Sequence, residues 1–311
     1  MGTPDFAVPA LGAVAARCEV VAVVTQPDRP KGRGRASAAS PVADAAARLG
    51  LEVLKPERAN DEPTRERLRA FAADLFAVVA FGAILKPALL ALPRLGSINL
   101  HGSMLPDYRG ASPVQHALWD GRTATGVTTL WMDEGIDTGD MALQLWEPIA
   151  ADDDAASLAE RLARRGAPLL AESLVLAHAG RCPRRSQERS AGSYARKLEK
   201  RDGLLDWDLD AETLWNRQRA VTPWPGATVA HAGRRLILRR TRPEHRLPIE
   251  ESPGTVLDVG ADGLVVACGR GALRIESLVP EARGELAAAE WARGARVQRG
   301  DRLTTLKEDA S

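Results

Sequence analysis

Asn99 and His101 stand two positions apart at the end of the apolar run SINLH. Alternation along a strand puts their side chains on one face. Asp137 lies in DEGIDTGD, where four acids crowd into eight residues around two glycines. An amide can donate a hydrogen bond to a developing oxyanion, and a protonated imidazole can do the same or deliver a proton. A carboxylate can hold the imidazolium and help move a proton off an attacking amine. The set suits acyl transfer to an amine without a covalent enzyme intermediate. A serine route would need Ser97, Ser103 or Ser112 as nucleophile, and none sits in Gly-x-Ser-x-Gly. The acidic turn lacks the ligand spacing of a calcium loop, so Asp133, Glu134 and Asp140 read as solvated.

The elements around these residues are α/β in pattern. Continuous apolar runs at Glu19–Thr25, Leu51–Leu54, Leu75–Ala80 and Gly96–His101 alternate with helical patterns at Phe6–Arg17, Pro41–Leu49 and Pro63–Ala73. Buried strands between helices predict a Rossmann-like, doubly wound, mostly parallel sheet. Thr125–Met132 and Met141–Ile149 alternate more and predict an antiparallel pair at its edge. A helix at Pro113–Trp119 and a long amphipathic one at Asp154–His178 follow. Ligands of such sheets bind beyond the carboxyl ends of the strands. That singles out the loops Gly82–Pro87, His101–Gly110 and Asp133–Asp140.

From Arg181 to Lys200 the composition turns to Arg, Ser, Pro and Gly. This predicts a linker at 181–200 between a catalytic domain at 1–180 and a second domain at 201–311. The latter carries a helix near Ala211–Val221, then short strands with tight turns, which predict a small β-barrel. The chain's net charge of +1 names no partner, but Arg181–His245 holds 15 Lys and Arg against 8 Asp and Glu. Arg29, Lys31, Arg33 and Arg35 form a second basic stretch. Three scattered cysteines without a Cys-x-x-Cys pair point to neither disulfides nor a zinc site, and no metal is expected. No signal peptide or bilayer-length apolar run is evident, so a cytoplasmic monomer with no membrane partner is expected.

The stretches MGTPDFAVPAL, TQPDRPKGRGR, INLHGSMLPDYRGASPVQ, TGVTTLWMDEGIDTGD, SYARKLEKRDGLLDW and TPWPGA resemble the methionyl-tRNA formyltransferase family, over almost the whole length. The Asn-x-His…Ser-Leu-Leu-Pro…Asp pattern is common to folate-dependent formyltransferases. The resemblance implies N10-formyltetrahydrofolate as donor and methionyl initiator tRNA as acceptor. It gives Asn99 and His101 the oxyanion, and Asp137 the support of His101 and proton removal. It assigns Ser103, Met104, Leu105, Pro106, Phe81, Gly82, Ile84, Leu85 and Gly135 to folate. It assigns Arg33 above all, with Arg29, Lys31, Arg35, Arg196, Lys197, Lys200 and Arg201, to tRNA, and makes the second domain OB-like.

The chain departs from the family pattern in places. Met104 replaces Leu, Phe81 replaces Tyr, Asp107 stands where a basic residue is usual, and Arg283–Glu285 fits a Gly-basic-basic turn loosely. The family also has an apolar strand before MGTPDFA. A slot, or a collapse, is therefore expected between the strands near Val21 and Val78. Three other readings share the motifs: a sugar-nucleotide formyltransferase, a formyltetrahydrofolate hydrolase and a non-catalytic tRNA-binding protein. Intact Asn99, His101 and Asp137 argue against the last.

Overall fold

The computed structural model describes residues 1–31, 36–188, 190–244 and 250–306. They form two compact units. The first is Met1–Pro113, Ala124–Pro148 and Ala159–Ala195; the second is Val114–Thr123, Ile149–Leu158 and Arg196–Ser311.

The first unit runs through α1 (Val8–Ala15), β1 (Val23–Val24), a β2 (Arg29–Lys31)–β3 (Ala36–Ala38) hairpin, α2 (Pro41–Arg48), β4 (Val53–Leu54) and α3 (Glu62–Ala70). It continues through β5 (Leu75–Val78), α4 (Pro87–Leu90), β6 (Gly96–His101) and β7 (Arg109–Gly110). The helices begin where the sequence supplies a cap and a proline. Ser40 Oγ accepts from Ala43 N–H ahead of Pro41, and Asp61 Oδ1 accepts from Thr64 N–H around Pro63, each at 3.0 Å. After α5 (Pro113–Trp119) come β8 (Ala124–Trp131), β9 (Met141–Pro148), α6 (Ala155–His178) and β10 (Tyr194–Ala195).

The first unit's main sheet has the order β5-β6-β8-β9. β5 and β6 pair in parallel, while β8 and β9 add the expected antiparallel edge. β1 and β4 form a separate parallel pair. Between the two sheets, Gly2 N–H donates to Val24 O at 3.0 Å and Val79 N–H to Met1 O at 2.9 Å. The Met1 α-amine donates to Ala77 O at 2.6 Å. Met1 and Gly2 thus join the sheets at their carboxyl ends. Behind them, along the amino-terminal halves of the strands, lies a cavity of about 710 Å³ lined by Val20, Val21, Leu75, Ala77, Phe71 and Leu174. The expected slot is therefore present. It also shortens the expected strand at Glu19–Thr25 to two residues: with a neighbour on one side only, Val20–Ala22 drop out of the ladder and Val21 is 39% exposed.

The second unit adds α7 (Ala211–Ala220), β11 (Ala227–His231), β12 (Arg234–Glu244), β13 (Val256–Gly260), β14 (Gly263–Ala267), β15 (Ala272–Pro280), β16 (Leu286–Ala287), α8 (Ala288–Ala295) and β17 (Leu303–Thr304). Its antiparallel sheet has the order β13-β14-β15-β12-β11-β17, with β16 on β15. The sheet curls on itself: Val256 N–H reaches Asp301 O and Leu303 N–H reaches Gly254 O, both at 2.8 Å, joining its two ends. Alternate strand residues, including Leu236, Leu238, Leu264, Leu273, Ile275 and Leu278, fill the interior. This is the small barrel expected.

The linker reading needs correction. Residues up to Ala195 belong to the first unit. Arg185 exchanges two backbone hydrogen bonds with Met141 at 2.9 and 3.0 Å, and β10 pairs in parallel with β7. Composition misled here because this segment is held by backbone groups, which arginine, serine and glycine supply as well as apolar residues do. Among the described residues, no helix is long and apolar enough to cross a membrane.

Candidate active site

β6 is central in its sheet, paired with β5 and β8, so its last residues are rigidly placed. Asn99 and His101 occupy that end, on one face as alternation requires. Asp137 arrives from the loop between β8 and β9. Its carboxylate is shared: Oδ1 accepts from Asn99 Nδ2 at 3.4 Å, and Oδ2 accepts from Gly110 N–H at 2.9 Å. His101 Nδ1 lies 3.5 Å from Oδ2, and the two side chains are 6% and 16% exposed. The other ring nitrogen, Nε2, lies 2.8 Å from Tyr108 O. A carbonyl only accepts, so Nε2 carries the proton and donates. That leaves Nδ1 toward Asp137. Asn99 carries a second amide N–H that this contact does not use. The three residues predicted to act together are brought together.

Relatives share this chain almost end to end. The formyl transferase family matches residues 8–174, and the formyl transferase C-terminal domain matches residues 197–296. A methionyl-tRNA formyltransferase of Geobacter sulfurreducens is 44% identical over 97% of this chain and 95% of its own. One from Thermus thermophilus is 45% identical, covering 97% of each chain. The chain belongs to the methionyl-tRNA formyltransferase family. The fold agrees: WlaRD, a sugar 3N-formyl transferase solved in the presence of dTDP and 5-N-formyl-THF, superposes with a TM-score of 0.65 at 15% identity, over 91% of this chain and 97% of that one.

The residues that family resemblance assigns to folate lie on the segments that follow β5, β6 and β8. Phe81 and Leu85 are buried, whereas Ile84 is 71% exposed. Their loop is pinned: Thr3 Oγ1 donates to Phe81 O at 2.9 Å, Asn60 Nδ2 to Ile84 O at 2.8 Å, and Lys86 N–H to Asn60 Oδ1 at 2.8 Å. Gly82 turns with φ +85°, a region that favours glycine. In the other loop, Ser103 Oγ donates to Asp107 O at 2.6 Å, and Leu105 N–H to Thr128 Oγ1 at 3.1 Å. Asp107 thus serves this turn through its backbone. Met104 crosses Gly126 so closely that a Cβ there would lie 2.5 Å from its sulfur. Pro106 follows a cis peptide bond. Gly135 answers a local demand, since a Cβ would lie 2.0 Å from Thr138 Oγ1, which is itself bonded to Asp133.

Of the basic residues, Arg29 and Lys31 sit on the β2–β3 hairpin. Arg33 and Arg35 lie outside the described residues. Arg196 differs from expectation. Its guanidinium grips Asp202 in a bidentate pair at 2.5 and 2.7 Å, which ties down the start of a one-turn helix at Lys200–Gly203. The pair uses two of the five guanidinium N–H groups, and the side chain stays half exposed. Arg201 pairs with Glu199 at 2.8 Å, at the solvent surface. Lys197 and Lys200 are exposed.

Sequence reasoning missed the groups that hold the centre in place. Thr128 receives His101 across the β6–β8 ladder and donates to Ser103 O at 2.7 Å. Gln187 Nε2 donates to Asp137 O at 2.9 Å, and Ser193 Oγ accepts from Tyr108 N–H at 3.0 Å. Nothing in their local pattern marks Gln187 or Ser193, because their role depends on a backbone path through an irregular segment.

Proposed function

We propose that this chain transfers the formyl group of N10-formyltetrahydrofolate to the amino group of methionyl initiator tRNA. The convergence of Asn99 and His101 on the Asp137 carboxylate carries the reading. The folate donor supplies the formyl carbon. Asn99 offers its second N–H to the carbonyl oxygen as negative charge builds there. The Asp137 carboxylate takes the proton that the amine loses as the new C–N bond forms, with the lone pair of His101 Nδ1 beside it able to share that proton. The tetrahedral adduct then collapses by breaking the formyl C–N10 bond, and the same proton goes to N10 as tetrahydrofolate leaves. Gly110 N–H and Asn99 keep the carboxylate turned toward the cleft. Because Nε2 is held by Tyr108 O, His101 acts through Nδ1 and Asp137, a narrower role than direct donation to the oxyanion.

Support for the tRNA acceptor comes from relatives of that name matching nearly full length, and from the basic residues of the hairpin and of β12. The deciding experiment mixes the protein, formyltetrahydrofolate and charged initiator tRNA. Formylmethionyl-tRNA is the expected product. Release of formate at the same rate with or without tRNA would replace this reading with a hydrolase.

A further inference from the structure

We propose that Gln187 is a positioning residue for the Asp137 carboxylate, clamping the turn from which that carboxylate projects. The inference rests on the reading of Asp137 above and adds a residue that this reading does not contain.

Asp137 has φ +54°, a left-handed conformation that side chains other than glycine adopt with strain. Aspartate tolerates it better than most, yet it persists only where the surroundings impose it. Two contacts impose it here. On one side the turn is pressed against the end of β8: a Cβ on Gly139 would lie 1.8 Å from Trp131 O, so only glycine fits. On the other side stands Gln187, 8% exposed. Its Nε2 donates to Asp137 O at 2.9 Å and to Gly139 O at 2.8 Å. Its Oε1 accepts from Arg109 Nε at 3.0 Å.

The neutral amide suits this place for a chemical reason. Two carbonyls need two N–H donors, and a guanidinium needs an acceptor; one glutamine side chain supplies all three. The same residue therefore holds the backbone of Asp137 and the side chain of Arg109. Arg109 precedes Gly110, whose N–H reaches the Asp137 carboxylate. Gln187 thus fixes both the origin of that carboxylate and the donor that orients it. Glutamate would set a carboxylate against two carbonyl oxygens. Methionine keeps the size and loses every bond.

The test uses the full chain with formyltetrahydrofolate and charged initiator tRNA, in steady state, with thermal unfolding measured on each variant. Gln187→Met and Gln187→Glu should each lower kcat by about 10- to 100-fold, the scale of a slight misplacement of a reacting group. KM for both substrates should stay within about threefold, the range left when ground-state binding is untouched. Placed in Asp137→Asn, Gln187→Met should lower the residual rate no further, because no carboxylate remains to be positioned. If Gln187→Met does not fold, Gln187→Glu decides. A kcat within twofold of the parent chain in a folded variant overturns the proposal. So does an equal loss in the presence and absence of Asp137. Should Asp137→Asn itself turn over normally, the reading of the site falls and the proposal with it. An inactive Asp137→Asn beside an active Gln187→Met overturns the proposal alone.

Discussion

The strands of the first unit are bonded very differently at their two ends. At the carboxyl ends, Met1 and Gly2 bridge β1 and β5, and Asn99, His101, Gly110 and Gln187 converge on Asp137. At the amino-terminal halves, the two sheets stand apart across the 710 Å³ cavity. Order at the site therefore does not require order along the whole strand. β6 pairs with β5 over Gly96–Asn99 and with β8 over Ile98–His101, and that is enough to aim two side chains. The cohesion missing elsewhere should appear as lost stability, with the chemistry intact.

The largest effect should come from the well-bonded end. Asp137→Asn keeps shape and tolerates the left-handed backbone while removing the charge. It should lower kcat by on the order of a hundredfold or more, with the unfolding temperature nearly unchanged. A loss of stability equal to the loss of activity would erase the contrast between the ends. Next come two truncations measured by denaturant unfolding. Ile98→Ala empties a site with 0% exposure on β6 and should cost about 2–5 kcal/mol. Val21→Ala trims a side chain bordering the slot and should cost at most about 0.5 kcal/mol. Similar costs for both would mean that the slot end packs as well as the core.

A further effect concerns acidity. Burial pushes the Met1 α-amine down to about 5, from 8.0. Between those values the unfolded chain holds a proton that the folded chain lacks, so stability should rise as pH goes from 5 to 8, by up to a few kcal/mol. Joining about five apolar residues to Met1 removes that titrating amine and offers the slot an extended strand. The extended chain should unfold at a temperature higher by about 5 °C, and this part of its pH slope should vanish. An unchanged melting curve would show that the slot does not accept a strand.

The fold was legible because buried strands and capped helices leave periodic traces, and Asn99, His101 and Asp137 stood out as polar residues at predicted strand ends. The strand at Glu19–Thr25 was overestimated because an apolar run does not report whether a neighbour is there to receive its hydrogen bonds. The segment at 181–200 was read as a connector because its residues lack periodicity. Its value to the site comes from Gln187, Ser193 and Arg185, which act through amides, a hydroxyl and the main chain. Arg196 illustrates the same limit: charge is visible in the sequence, while its commitment to Asp202 is not.

The second unit is not written in one continuous passage of the gene. Arg217 lies over the Trp119 ring at 4.9 Å, and Arg219 Nη1 donates to Asp153 O at 3.4 Å. A Cβ on Gly121 would lie 2.6 Å from Asn216 Nδ2. A fragment starting at Arg196 would carry those arginines without the ring and carbonyl they rest on. The unit is thus assembled from three separate stretches of the sequence, and a fragment that begins at Arg196 lacks two of them.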